Sequence, residues 1–395
     1  MVNPAFAFAR MPPIHFGPGR LAELPRIARG FGREALLVTG AASLESGGRL
    51  DRVLDGLKAA GLRTRRLVVA AEPSTAFIDN ACAALRDGGP PVEVVIGIGG
   101  GSVIDGAKAV SAMLPHRNSA LDHLEDVGRN VPHSGVKVPY VAIPTTSGTG
   151  GEMTKNAVLS MVGPQGYKKS LRHDNLIPDA VIVDPELMLT CPPKVTAACG
   201  MDAFTQLLEP YLSPIASPLT DALAWSGLEH ARDHLAPACT DRGGDIGVRA
   251  GMAYASLLSG AALANAGLGI VHGLASPIGG FFDIPHGVVC GTLVAEATRA
   301  NLDALRRRRD NPGALSKYAR VGVLFGGDAS KGPDWNCDHL VERLRVLTGE
   351  LGLPPLSRYG IGAGDLDRIV AKTAIRHNPV KLEAEEIRDL VARRL

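Results

Sequence analysis

The first half of the chain alternates short β-branched apolar runs with segments whose apolar residues recur at helical spacing. Runs from Glu34 to Thr39, Arg65 to Val69, Val92 to Ile98, Tyr140 to Ile143 and Ala180 to Val183 are predicted strands; Leu50 to Ala60 and Phe77 to Arg86 are predicted helices. Strand, helix, strand in this rhythm predicts a mostly parallel sheet covered on both faces. From about Pro193 the strand pattern stops. Ala/Leu-rich helical stretches follow at Ala197 to Tyr211, Leu219 to His234, Ile246 to Ala266, Val289 to Arg306, Cys337 to Leu351, Gly364 to Ala374 and Ala384 to Arg394. The expected architecture is therefore an N-terminal α/β domain over residues 1–190 and an all-α C-terminal domain over 191–395. Pro192-Pro193 marks the seam, because consecutive prolines cannot enter a helix interior and bias the preceding chain toward extended structure.

Composition narrows the possible functions. The chain has 395 residues, of which 45% are hydrophobic and 21% charged, the balance of a globular protein with two or three full cores. Lys plus Arg (42) against Asp plus Glu (40) leaves a net charge of +2. That is no basic field for nucleic acid, and the run Arg306 to Arg309 reads as a solvated face. Six widely spaced cysteines without a CxxC pair, and no apolar leader, point to the reducing cytoplasm. The greasiest stretch, Met252 to Val271, is interrupted by glycines and carries Ser256, Ser259 and Asn265, so no membrane span is expected. Aromatics make up only 4% against 47 glycines, which implies a core of Ala, Val, Leu and Ile with tight turns.

Ligands of open parallel sheets bind beyond the carboxyl ends of the strands. There the strand Val92 to Ile98 runs into Gly99-Gly100-Gly101-Ser102 and a helical segment, presenting free N–H groups and a positive dipole end to an anion. The spacing is neither GxGxxG nor a P-loop. Ser102 with Asp105 three residues on resembles a capping box. A plain, well-capped turn is the alternative to a phosphate cradle. A second cluster, Pro144-Thr145-Thr146-Ser147-Gly148-Thr149-Gly150-Gly151-Glu152, follows the next strand, and two such loops at one sheet edge favour a dinucleotide.

Asp202 and Gln206, at i and i+4, share one helix face. His272 and His286 would stand roughly 20 Å apart on a straight helix, but Pro277, Gly279, Gly280 and Pro285 lie between them and would break the chain. A carboxylate and two imidazoles can form the inner ligand set of Zn²⁺ or Fe²⁺ with an open position. Composition alone favours the alternative, a buried Asp cap and two hydrogen-bonded core histidines.

Taken together, these motifs resemble the iron-containing (group III) alcohol dehydrogenases, whose fold is shared with glycerol dehydrogenase and dehydroquinate synthase. The likeness runs through His15-Phe16-Gly17-Pro18-Gly19 as the opening hairpin motif, Gly99 to Asp105, Pro144 to Glu152, Val183-Asp184-Pro185, Gly200-Met201-Asp202-Ala203 and His272 to His286. It implies a dinucleotide-binding N-terminal domain, a helical metal- and substrate-binding domain, and a homodimer. It further implies that Gly99, Gly100, Gly101 and Ser102 hold a pyrophosphate, with Gly40, Asp105, Thr145, Thr146, Thr149 and Thr154 also on the NAD(P)(H) side. Lys168 would reach the nicotinamide ribose, and Asp202, His272 and His286 would be catalytic metal ligands. The activity implied is interconversion of a small alcohol with an aldehyde or ketone. A maleylacetate reductase-like role, or a dehydroquinate synthase-like cyclase or lyase using Lys168, Lys169, Arg172 and His173, stays open.

Three positions depart from the pattern. Gln206 stands where most relatives have a metal-binding histidine and offers a weaker oxygen ligand. Ser276 replaces a further active-site histidine, which leaves proton transfer to water. Gly40 stands where NAD-preferring members carry an aspartate, removing the repulsion of a 2′-phosphate, and Ser43 and Ser46 are nearby donors, with no arginine immediately following.

Overall fold

The computed structural model describes residues 5–41, 44–45 and 48–395. Its strands are β1 (Ile14–Phe16), β2 (Glu34–Thr39), β3 (Arg63–Val68), β4 (Val94–Gly99), β5 (Tyr140–Pro144), β6 (Asn156–Met161), β7 (Tyr167–Arg172) and β8 (Ala180–Val183). Six of them form one parallel sheet in the order β1-β8-β5-β4-β2-β3, while β6 and β7 form a separate antiparallel pair. The interior strands β2, β4, β5 and β8 are buried along their whole length, which is why they read as unbroken apolar runs. Helices α1 (Leu24–Arg29) and α2 (Arg49–Ala59) cover one face, and α3 (Thr75–Asp87) and α4 (Gly101–Met113) the other. Alternate residues of each strand serve the two faces: Leu37, Ile96 and Val141 one, Leu36, Val95 and Ala142 the other.

After Pro193 the described chain is helical: α5 (Pro193–Leu212), α6 (Pro218–Ala238), α7 (Ile246–Ala266), α8 (Ile270–Phe281), α9 (His286–Arg308), α10 (Pro312–Leu324), α11 (Pro333–Glu350), α12 (Leu366–Lys372) and α13 (Ala384–Ala392). Four of these begin on a proline, whose missing N–H costs nothing in the first turn. By length and composition α7 is apolar enough to cross a membrane, with mean hydropathy 1.2, but 72% of that stretch is buried inside the protein. Its Ala253, Leu257 and Ala261 complete the core beside α4, while Val248, Met252 and Leu258 belong to the helical core. Its apolarity serves two cores at once.

The sequence reading needs four corrections. The opening motif is not a hairpin, because β1 pairs in parallel with β8, Ile14 opposite Val181. The pair β6-β7 was not foreseen, because its strands carry lysines and serines. Pro277, Gly279 and Gly280 do not break the chain, since α8 runs through all three and ends at Phe281; the break is Phe282 to Pro285. Ser102 and Asp105 do not form a capping box. The N-cap of α4 is Gly100 and no side chain caps it. Asp105 is instead half-buried close to the Lys108 ammonium.

One buried cation ties α4 to the hairpin. Lys108 donates through Nζ to the carbonyls of Gly151 (2.6 Å), Thr154 (2.7 Å) and Asn156 (2.7 Å) and to the Thr154 hydroxyl (3.0 Å). Burial pulls its ammonium down to about 8, opposed by Asp105, and pushes Asp105 up to about 6 and Glu152 up to about 7. Removing one charge from such a group leaves the others uncompensated. Lys108→Met should therefore cost about 3 kcal/mol or more in denaturant unfolding; a loss under about 1 kcal/mol would mean the ammonium is not what pins this loop.

Candidate active site

The glycine turn lies at the carboxyl end of β4, and its three glycines differ in why they are needed. A Cβ at Gly99 would lie 2.5 Å from Val103, and one at Gly101 2.9 Å from Thr149, so the fold itself requires both to be small. Gly100 is different. Its backbone (φ −73°, ψ −176°) suits any residue, and a Cβ there would make only ordinary contact with Thr146, at 3.5 Å. Nothing inside the protein asks for glycine at the N-cap of α4, where a Ser or Asp would serve the helix better. An uncapped N-terminus with an open cradle beside it fits a phosphate group.

The second loop packs against this turn and reaches the helical half. Thr145 N–H donates to the Gly99 carbonyl (2.9 Å), Thr146 lies beside Gly100, and Thr149 lies beside Gly101. On its other side Gly148 packs against Cys199, three residues before Asp202 on α5, where a Cβ would come within 2.8 Å of the cysteine. Thr154 is buried, and its hydroxyl is occupied by Lys108 and by the carbonyls of Gly151 and Asn156. It supports the loop from behind and does not join the glycine turn. Ser102 stands in the first turn of α4.

Asp202 and Gln206 project from α5 and are both buried. His272 comes from the first turn of α8 and His286 is the first residue of α9, and the break between those helices turns the two rings to face each other, centroids 5.5 Å apart. The approach of α9 to α5 depends on Gly287, where a Cβ would lie 2.3 Å from the Ala198 carbonyl oxygen. The Nε2 of His272 lies 3.3 Å and that of His286 3.6 Å from Asp202 Oδ1. Burial opposes ionisation of Asp202, but His286, His272 and a hydrogen bond from Gln206 overcome it and hold the carboxyl at about 2. Burial brings His286 down to about 4, with Lys168 adding to the effect. Its Nδ1 is buried without a hydrogen-bond partner.

Two residues at this site escaped the sequence reading. Cys290, one turn beyond His286, brings its thiol within 3.7 Å of both imidazole Nε2 atoms, and Asp202, His272, His286 and Cys290 offer ligand atoms all within 4.8 Å of one another. Glu209 accepts from His272 Nδ1 (2.7 Å) and from the Val271 N–H (2.7 Å). That bond fixes the ring so that Nε2 faces Asp202, the outer-carboxylate arrangement common behind metal-binding histidines. The spacing Asp202, Gln206, Glu209 is i, i+4, i+7, a single helix face that could have revealed Glu209.

Lys168 on β7 pairs with Glu72 and lies against Gly279 of α8. Ser276 donates to the Lys168 carbonyl (2.8 Å) and so fastens α8 to β7. Of the other basic residues weighed, Lys169 pairs with Asp126, Arg172 with Glu125, and His173 accepts from Asn175 N–H, away from the imidazole pair. Gly40 follows β2 directly, while Ser43 and Ser46 lie outside the described residues. No arginine immediately follows Gly40 in the sequence, but one comes from the neighbouring strand: Arg66 donates to Thr39 Oγ1 (3.0 Å) and pairs with Glu45 (3.0 Å).

An open glycine turn at a parallel-sheet edge, joined by a threonine loop to a carboxylate and imidazole cluster on facing helices, is the arrangement expected of an enzyme that pairs a dinucleotide with a cation. Family comparison agrees: "Iron-containing alcohol dehydrogenase" matches residues 12–185 and "Fe-containing alcohol dehydrogenase family, C-terminal" residues 196–395. The chain belongs to the iron-containing alcohol dehydrogenase family, a class of oxidoreductases. It is 31% identical to an NADPH-dependent butanol dehydrogenase of Clostridium saccharobutylicum, covering 95% of each chain. It is 34% identical to a long-chain-alcohol dehydrogenase of Geobacillus thermodenitrificans, covering 95% of this chain and 94% of that one. The crystal structure of a 1,3-propanediol oxidoreductase superposes with a TM-score of 0.88 at 28% identity, over 99% of this chain and 100% of the other.

If Gly100 is open because a phosphate needs the space, Gly100→Val should weaken NAD(P)(H) binding at least tenfold, about 1.4 kcal/mol, while the melting temperature stays within a few degrees. Unchanged affinity in a fluorescence titration would remove this turn from the site.

Proposed function

We propose that this enzyme interconverts a small alcohol with its aldehyde or ketone, using NAD(P)(H) and a divalent cation held in the cleft between the sheet and the helices. The observation that carries the reading is the short loop 145–151, in which Thr146 lies beside the open position at Gly100 and Gly148 packs against Cys199 on the helix that bears Asp202. The backbone N–H groups of Gly101 and Ser102 and the helix dipole would anchor the diphosphate, and Lys168 would meet the nicotinamide end. Asp202, His272 and His286 would hold the cation, with Glu209 keeping the His272 ring in register. A cation there supplies a Lewis acid that polarises a carbonyl oxygen, and the nicotinamide supplies or accepts the hydride. A dehydroquinate synthase-like reaction is disfavoured because Lys169 and Arg172 are already paired with Asp126 and Glu125. An aldehyde panel with both reduced cofactors, run beside metal analysis of fresh protein, tests the reading; absence of turnover with every aldehyde would overturn it.

The cofactor corner supports acceptance of NADP(H) at least as well as NAD(H). Gly40 brings no carboxylate to the end of β2, and Arg66 is a guanidinium whose partner Glu45 is half exposed and easily exchanged. Gly40→Asp should shift the kcat/KM ratio toward NAD(H) at least tenfold, and Arg66→Leu should weaken NADP(H) alone. A wild-type preference for NAD(H) of about a hundredfold, about 2.7 kcal/mol, would refute this and make Glu45 the group that meets the ribose.

A further inference from the structure

Cys290 is completely buried, and a buried cysteine is ordinarily a small apolar filler. Its surroundings argue otherwise. The thiol is turned toward two imidazole nitrogens at equal distances of 3.7 Å, and the same nitrogens stand 3.3 and 3.6 Å from Asp202 Oδ1. Metal–sulfur bonds near 2.3 Å and metal–nitrogen bonds near 2.0–2.1 Å give a tetrahedron whose sulfur–nitrogen edge is about 3.6 Å, and whose nitrogen–oxygen edge is about 3.3–3.4 Å. These four separations are close to those edges, while the set as a whole spans up to 4.8 Å, more open than a closed tetrahedron. They are also within reach of hydrogen bonds to the thiol and carboxylate, so the four groups already face one another across one small volume.

Gln206 is committed elsewhere. Its amide is turned to the Asp202 carboxylate, and its Oε1 stands 3.4 Å from Ser259 Oγ, whose proton is better given to the Ser256 carbonyl (2.8 Å). The two helices offer equivalent positions: α5 presents residues 202 and 206, α9 presents 286 and 290, each pair one turn apart on one face.

We propose that Cys290, as a thiolate, is the fourth protein ligand of the cation, in the place that Gln206 does not fill, and that this soft donor makes the site select Zn²⁺ over Fe²⁺. This rests on the metal-assisted reading above. Thiolate favours zinc among the ions available to such a site, whereas a carboxylate and imidazoles alone discriminate less. Four protein ligands still admit substrate, because zinc tolerates expansion to five. Gln206 becomes a positioning residue that orients Asp202 through its amide.

The test uses the chelated full-length enzyme refilled with Co²⁺, whose spectrum reports its ligands. Wild type should show an intense near-ultraviolet thiolate-to-cobalt charge-transfer band beside weaker visible bands of tetrahedral cobalt. Cys290→Ser and Cys290→Ala should both lose the charge-transfer band, and each should bind Zn²⁺ at least tenfold more weakly in a competition titration, with the preference for Zn²⁺ over Fe²⁺ reduced. Gln206→Ala should keep the band. Tetrahedral cobalt without a charge-transfer band in wild type, or a band that survives in both Cys290 variants, would overturn the assignment of Cys290 while leaving a metal site. Failure of wild type to bind Co²⁺ or Zn²⁺ at all would instead overturn the metal-assisted reading. Circular dichroism of both variants establishes that the helices around the site are intact.

Discussion

Everything around the cleft is arranged about one buried carboxylate. Asp202 is 1% exposed and ionised, and a lone charge in that environment would cost several kcal/mol. The chain answers it from two other helices, His272 on α8 and His286 on α9, with Gln206 one turn further along α5. Each must arrive at a set distance, and that requirement fixes the packing. It accounts for Gly287, which lets α9 approach the α5 backbone, and for Glu209, which spends a buried charge on holding one ring. Two carboxylates and two imidazoles in one pocket make a poor core. They make sense as the wall of a cation site, where a bound charge converts mutual repulsion into attraction.

The cradle is joined to that pocket by a loop that could not stand alone. Residues 145–151 are rich in glycine and hydroxyls and have little apolar surface of their own, so their shape is imposed from both sides. Lys108 holds the end of the loop through Gly151 and Thr154, and α7 presses on its middle, where Gly150 meets Gly260 backbone to backbone. Such contacts make the geometry rigid where a dinucleotide and a cation would have to be held in register. Rigidity is useful here because a misplacement of about 1 Å is costly in reactions that depend on positioning.

Much of this was legible in the sequence. The parallel sheet showed itself because its interior strands are buried on both faces, and the cradle because three glycines followed one of them. The family resemblance then identified Asp202, His272 and His286, which the structure brings together. What was not legible followed other rules. The hairpin β6-β7 hides apolar Leu159 and Leu171 among lysines and serines, because only one of its faces is covered. Helix α8 was missed because its Pro277 and paired glycines, which in a free chain would end a helix, are here held by packing against β7. Asp105 looked like a cap by spacing, but the helix begins two residues too early for it, with Gly100 as its N-cap.

Arg66 and Cys290 belong to a third kind of omission, and it is the most instructive. Both were invisible because pattern reading looks for a given residue type at a given position, whereas a site is defined by where atoms meet. The arginine next to the β2 terminus arrives from the adjacent strand, 26 residues after Gly40, and no local motif connects them. The cysteine stands on a different helix from the position where a ligand was missed. A glutamine at 206 looks like damage to a metal site when α5 is read alone. With α9 opposite, the donor count is unchanged and only the donor's chemistry has altered. In a cluster built from facing helices, a ligand lost on one helix can be recovered from the other. Such a site is therefore best judged by the set of atoms around its centre rather than by the intactness of any one motif.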